Sequence, residues 1–294
     1  MTQQALNAVV LGGIYTLFAL GLSLAWGVLR ILNLAHGAIA TWGAITAWLL
    51  TKERVLPLWL LVVIVVLAMG TLNVVIDQLA FRRLRRQGTE QLETRVLLAS
   101  VGVVTILLAW AEQVTKSDTY SLPAGIFSSR IYEVVGVRLK ALDIVILVLS
   151  IGGMALLAHW IRNSRNGRAL RAIACDPETA SLMGINHEVL TPVTMFVSGG
   201  LAGMAGLLIA LAFHVVHAYM GDPLMLKAIA IIILGGIGSV AGAVVGAYAL
   251  AFGETAMVAN DHASLRDVVA FAFVVLILLV KPTGLFGRQT VERQ

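Results

Sequence analysis

Cysteine, charge and proline are all scarce in this 294-residue sequence. The single cysteine, Cys175, excludes an internal disulfide. Charged residues make up 13% of the chain against 59% hydrophobic, and mean hydropathy is +0.91. A soluble domain carries about 25% charged residues, so that class is excluded. The N-terminal MTQQALNAVV has no basic region, and no small-residue cleavage site follows its apolar run. Ala5 to Leu29 therefore reads as a permanent span, not a removable signal peptide. Catalytic signatures are missing too: there is no GxSxG elbow, no HExxH helix and no GxxxxGK[ST] loop. No cofactor and no metal are expected, because no Cys/His cluster occurs. His214 and His217 have no carboxylate or cysteine at ligand spacing, and lie beside the turn Gly221-Asp222-Pro223. They read as interfacial. An ATP-driven process would need its nucleotide on another subunit.

What is present is a series of apolar runs, near 5–29, 31–51, 56–79, 96–115, 141–161, 191–213 and 267–281, with a Gly-rich stretch at 224–253. Each of the longest can cross a hydrocarbon core of ~30 Å. None shows the polar face a soluble helix needs. The fold class is thus all-α, a polytopic helical membrane protein with about eight membrane segments. The net charge of +5 resides in the loops, where it sets orientation; nucleic acid is not an expected partner. Five arginines lie in Arg82 to Arg95, four in Arg162 to Arg171, and Lys281, Arg288 and Arg293 in the tail. The positive-inside rule places all three on the cytoplasmic side. The N-terminus is then outside, and so is 116–140.

Counting spans leaves a constraint on 224–253. The preceding span ends outside, and the last must begin outside. These 30 residues must therefore cross an even number of times, too few for two helices of ~20 residues each. Gly235, Gly236 and Gly238 precede Ser239, which predicts a re-entrant pair of short arms meeting inside the membrane. A single long tilted helix is the alternative. Elsewhere glycines four apart, Gly199 with Gly203 and Gly238 with Gly242 and Gly246, suit close helix packing.

Ionisable residues avoid the expected bilayer centre. Asp77, Glu112, Asp143, Lys227 and Glu254 all fall near span ends, so no central carboxylate is offered to a driving proton. Asn33-Leu34-Ala35-His36-Gly37 is the polar exception. Two readings stand: a helix break lining a polar path for a small solute, or an interhelical hydrogen-bond clamp with Gly37 admitting close packing.

A polar island, Arg162 to Asn186, interrupts the apolar chain. Asp176 is a natural N-cap, Pro177 is favoured in the first turn, and Glu178 sits against the positive end of the helix dipole. The spacing predicts a helix over Pro177 to Met183 with Gly184 as its C′ residue. Arg168 to Cys175 reads as a basic helical segment before it. Ala180 and Ser181 keep the short helix slim enough for a partner's groove; the bland alternative is a solvated surface helix.

Four stretches in order carry a resemblance: GVLRILNLAHGAIATWGA at 27–44, GRALRAIACDPETASLMGIN at 167–186, LKAIAIIILGGIGSVAGAVVGA at 226–247 and KPTGLFG at 281–287. Together they make the sequence similar to the LivH-type permeases of branched-chain amino acid ABC importers. The resemblance implies one permease domain over 1–294 in the bacterial inner membrane, transporting a small solute without covalent chemistry. It implies a second, M-type permease, two cytoplasmic ATPase subunits and a periplasmic solute-binding protein as partners. Relatives of the family carry urea, short amides and other small solutes, so the match does not name the cargo. The cytoplasmic coupling loop would be about 162–190, with Gly167, Arg168, Arg171, Asp176, Pro177, Glu178, Ala180 and Gly184 forming it. Asn33, His36, Gly37, Gly235, Gly236 and Gly238 would line the translocation path, and 116–140 with 214–223 would meet the binding protein.

Overall fold

The computed structural model describes residues 2–29, 32–53, 56–86, 92–123, 131–134, 137–260, 265–281 and 283–287. In order, its helices are α1 (Thr2–Leu29), α2 (Ala35–Thr51), α3 (Leu58–Ile76), a π-helical turn (Asp77–Phe81), α4 (Arg82–Arg86), α5 (Leu92–Thr115), α6 (Ala141–Asn163), α7 (Arg165–Cys175), α8 (Pro177–Leu182), α9 (His187–Phe213), α10 (Asp222–Gly235), α11 (Val240–Ala259) and α12 (Arg266–Val280). A two-stranded antiparallel hairpin, β1 (Ile131–Val134) with β2 (Val137–Lys140), is a small addition to the helical expectation. Helix is the natural outcome for apolar runs of this length, because it satisfies every backbone group within the segment.

Among the described residues six helices are long and apolar enough to cross a membrane: Thr2–Leu29, Leu58–Arg85, Leu92–Thr115, Ala141–Asn163, His187–Phe213 and Val240–Ala259. The most apolar stretches of α1 and α9 are 83% and 72% buried, whereas those of α5 and α6 are 22% buried. So α1 and α9 form the centre and α5 and α6 the periphery. Small residues set the close crossings. A Cβ on Gly43 would lie 2.6 Å from the Cα of Gly203, and one on Gly206 would strike the backbone of Ala40. Gly199 and Gly203 likewise face Met69 on α3, so α2 and α3 both lie tight against α9.

The bundle has two distinct ends. At the basic end Arg82 meets Glu188, the starts of α4 and α9. At the hairpin end Gln3 bonds to the backbone of Arg138, and Tyr120, stacked on Trp48, pairs with Val216. After α9 the chain turns at His214 and runs back into the bundle: Val216 is buried, and the N–H of Gly221 donates to Thr41 Oγ1 at 3.0 Å. Gly221 packs on Gly37. α10 therefore starts beside the first turn of α2, and its 14 residues suffice to reach the basic end.

The Gly-rich turn separates α10 from α11 where the glycines stand in the sequence. Gly236 and Gly238 have φ of 99° and 77°, left-handed values that favour glycine, and Ser239 Oγ caps α11 through Gly242 N at 3.0 Å. Gly238 lies against Gly27, in the last turn of α1, and Gly236 against Gly284 and Gly287. The meeting point is thus at the basic end of the bundle. The length argument also changes, since α11 runs on to Ala259 and its 20 residues reach span length.

Candidate functional site

The polar island folds as its caps dictate. Ser164 Oγ accepts from Gly167 N at 2.8 Å to start α7, and a side chain at Gly167 would collide with the carbonyls of Trp160 and Ile161. Arg168 donates to the carbonyl of Asn163 at 3.0 Å and Arg171 to that of Ile161. Both guanidinium groups thereby sit on the negative C-terminal end of α6. Asp176 accepts from Glu178 N and Thr179 N at 3.1 and 3.2 Å, and Pro177 opens α8. At the other end Gly184 has φ of 83°; its N–H donates to Ser181 and that of Ile185 to Ala180. That pair of bonds closes the last carbonyls of the short helix. Ala180 turns inward and is 4% exposed, while Leu182 and Met183 are 88% and 79% exposed. Of the two small residues singled out in the sequence, Ser181 is exposed and Ala180 is not, and the largest exposed apolar surface of the short helix belongs to Leu182 and Met183. Their signal in the sequence was a bulky apolar pair inside a polar island.

The NLAHG segment is buried and hydrogen-bonded across helices. Asn33 Nδ2 donates to Asn73 Oδ1 at 3.4 Å, and Asn33 Oδ1 accepts from Ala35 N at 3.0 Å. Asn73 in turn donates to the carbonyl of Met195 at 2.7 Å, and His36 Nε2 lies 3.1 Å from the carbonyl of Phe18. Asn33 and His36 are each 1% exposed. The segment thus joins α1, α2, α3 and α9. It stands apart from Gly235, Gly236 and Gly238, which the structure places at the basic end with the 284–287 segment.

Two groups of buried charge were not legible in the sequence. Glu254 lies near the end of α11 along the chain, yet it is fully buried. Lys227 Nζ is 2.9 Å from its Oε1, while Oε2 accepts from Tyr15 Oη at 2.9 Å, Lys227 Nζ at 3.0 Å and Arg266 Nε at 2.8 Å. Tyr15, halfway along α1, also accepts from Lys227 at 3.0 Å and from Arg266 at 3.3 Å. Proximity to a span end had suggested interfacial water for Lys227 and Glu254; the structure instead encloses them among α1, α10, α11 and α12. The second group starts at Asp77, also fully buried, whose two oxygens take a bidentate bond from Arg85 at 2.6 and 2.8 Å. The π-helical turn carries the chain from Asp77 to α4 and so brings Arg85 back over it.

Between this turn and α9 lies a cleft of 380 Å³. Asp77, Gln78, Arg82 and Arg85 form one wall; His187, Glu188, Thr191 and Pro192 form the other. Val28 and Leu29 of α1, Leu92 of α5 and Pro177 of α8 complete it. Through Pro177 the island reaches this cleft.

Comparison with known proteins gives this architecture its family. The model of the family described as "Branched-chain amino acid transport system / permease component" matches residues 4–279. The sequence is 31% identical to the high-affinity branched-chain amino acid transport system permease protein LivH of Escherichia coli (strain K12), over 99% of this chain and 97% of that one. It is 30% identical to the corresponding protein BraD of Pseudomonas aeruginosa, with the same coverage. A more distant likeness, 25% identity over 95% of this chain and 82% of the other, links it to the ribose import permease protein RbsC of Haemophilus influenzae. No solved structure matches. These relatives are transport components and not enzymes. With six span-length apolar helices and a match over nearly its whole length, the chain belongs to the branched-chain amino acid transport system permease family.

Proposed function

We propose that this chain is the membrane-spanning permease subunit of an ATP-driven ABC importer in a bacterial inner membrane. Its cargo is branched-chain amino acids, and its partners are a second permease, two cytoplasmic ATPase subunits and a periplasmic binding protein. The whole-length family match carries this reading. The basic end faces the cytoplasm, by the positive-inside rule. The N-terminus is then outside, and α10 and α12 complete passages as short helices.

In this reading α7 and α8 are the coupling element. Gly167, Arg168 and Arg171 fix α7 on the end of α6; Asp176, Pro177, Glu178 and Gly184 shape α8; Ala180 anchors it. Leu182 and Met183, exposed in the aqueous phase, are the contact offered to an ATPase. Asn33, His36 and Gly37 brace the wall of the translocation path, which their burial and interhelical bonds support, and Gly235, Gly236 and Gly238 shape its cytoplasmic end.

Reconstitution tests the proposal. ATP-dependent leucine uptake should require the ATPases and the binding protein, and excess urea should not compete. Solute flux through this chain alone, without an ATPase, would sink it. Replacing Leu182 with Asp should weaken ATPase association by about tenfold, as loss of an apolar anchor does, without altering membrane insertion. Gly184→Val strains a left-handed position and should lower coupled uptake more than insertion.

A further inference from the structure

The cleft between the π-helical turn and α9 has two walls of unequal stiffness, and each carries an irregularity facing the gap. On the α3 side the helix widens into the π turn at Asp77–Phe81. On the α9 side Pro192 sits inside the helix and removes the N–H that would meet the carbonyl of Glu188. Bends in helices concentrate at such places. Beyond the cleft, toward the hairpin end, α3 and α9 are held tightly by Gly199 and Gly203 against Met69 and by Asn73 on Met195. Relative motion of the two helices is therefore confined to the cleft.

The bonding around the gap follows the same division. Asp77–Arg85 is buried and lies within one wall. Arg82–Glu188 crosses the gap at 3.2 Å, with side chains 42% and 53% exposed. A solvated pair of that kind contributes little and re-forms readily. α8 is tied to the far wall: Asn186 Oδ1 caps α9 through Glu188 N at 2.9 Å, and His187 Nε2 lies 3.4 Å from the carbonyl of Pro177. Displacing α8 moves the first turn of α9 with it.

We infer that this cleft is the joint through which movement of α8 reaches the long helices, with Pro192 as its flexible point and the π turn, locked by Asp77–Arg85, as the rigid wall it works against. Arg82 and Glu188 face each other across its mouth and mark its width without fixing it. The inference rests on the coupling role proposed for α8.

The test uses the complete transport complex in proteoliposomes, on a Cys175→Ser background, with Arg82→Cys and Glu188→Cys introduced together and joined by a short bis-maleimide. The unlinked double variant should retain uptake within about twofold, since a solvated pair is lost. Linking should lower ATP-driven uptake by about tenfold or more, and the yield of linked product should differ between nucleotide-free and ATP-bound complexes. Equal yields in both states, or full uptake by the linked protein, overturns the joint. Failure of the complex carrying the unsubstituted chain to take up leucine with ATP would instead count against the coupling reading itself. Pro192→Ala provides a second arm that leaves the fold intact. It restores a helical N–H and should raise or preserve thermal stability while slowing uptake; unchanged uptake would overturn the role given to Pro192.

Discussion

Glu254 and Asp77 are both carboxylates with no exposed surface, yet they tie together very different parts of the molecule. Glu254 draws donors from three other helices, α1, α10 and α12, whose residues lie as far as 239 positions away in sequence. Asp77 is satisfied by Arg85, eight positions along the same segment. One group closes the bundle; the other stiffens a single wall and leaves the gap beside it open. Buried ion pairs seldom add much net stability, but they penalise any arrangement that separates their members. Long-range pairing therefore makes the α10–α12 unit rigid against α1. Local pairing leaves the basic end able to move.

Substitutions can break or sharpen that contrast. The largest effect is expected for Glu254→Ala, which leaves Lys227 and Arg266 facing each other without their shared carboxylate. Loss of one partner in a buried pair costs about 3–5 kcal/mol, and the purified protein should melt far lower or fail to accumulate in membranes. Asp77→Ala should cost less, about 2 kcal/mol for donors left without their acceptor, because Arg85 is already 20% exposed. Its melting temperature should fall moderately and uptake more. Tyr15→Phe removes a hydroxyl that bonds Glu254, Lys227 and Arg266, at about 1 kcal/mol for one hydrogen-bonding group. Smallest is Arg82→Ala, below about 0.5 kcal/mol for a solvated pair, with melting unchanged and uptake kept within about twofold. If Asp77→Ala proved as destabilising as Glu254→Ala, the distinction between a closing group and a local stiffener would fail.

Local chemistry was legible in the sequence and distant chemistry was not. The caps at Asp176 and Gly184 depend on residues within a turn of each other, so composition and spacing reveal α8 and its ends almost to the residue, whereas the Ser164 cap and the start of α7 at Arg165 went unread. Span positions follow from apolar length alone. By contrast, Tyr15 and Arg266 are 251 positions apart, and nothing in either segment announces the other. The same limit applies to Gly221 on Gly37, which draws α10 into the bundle. Gly235 to Ser239 showed plainly as a break, but not its depth, because depth is set by Gly27 and by the 284–287 segment. Orientation of a side chain around a short helix was also beyond reach: Ala180 and Leu182 are two positions apart and face opposite ways.

The carbonyls that end α10 are met by amides from beyond α12: Leu285 N donates to Leu234 and Phe286 N to Gly235, each at 2.9 Å. During synthesis α10 emerges well before those amides exist. Its terminus waits uncapped while α11 and α12 are made and threaded into place. Completion of this corner is a late event in biogenesis, and a ribosome that stalls after α12 would release a chain with every span present and one helix still open.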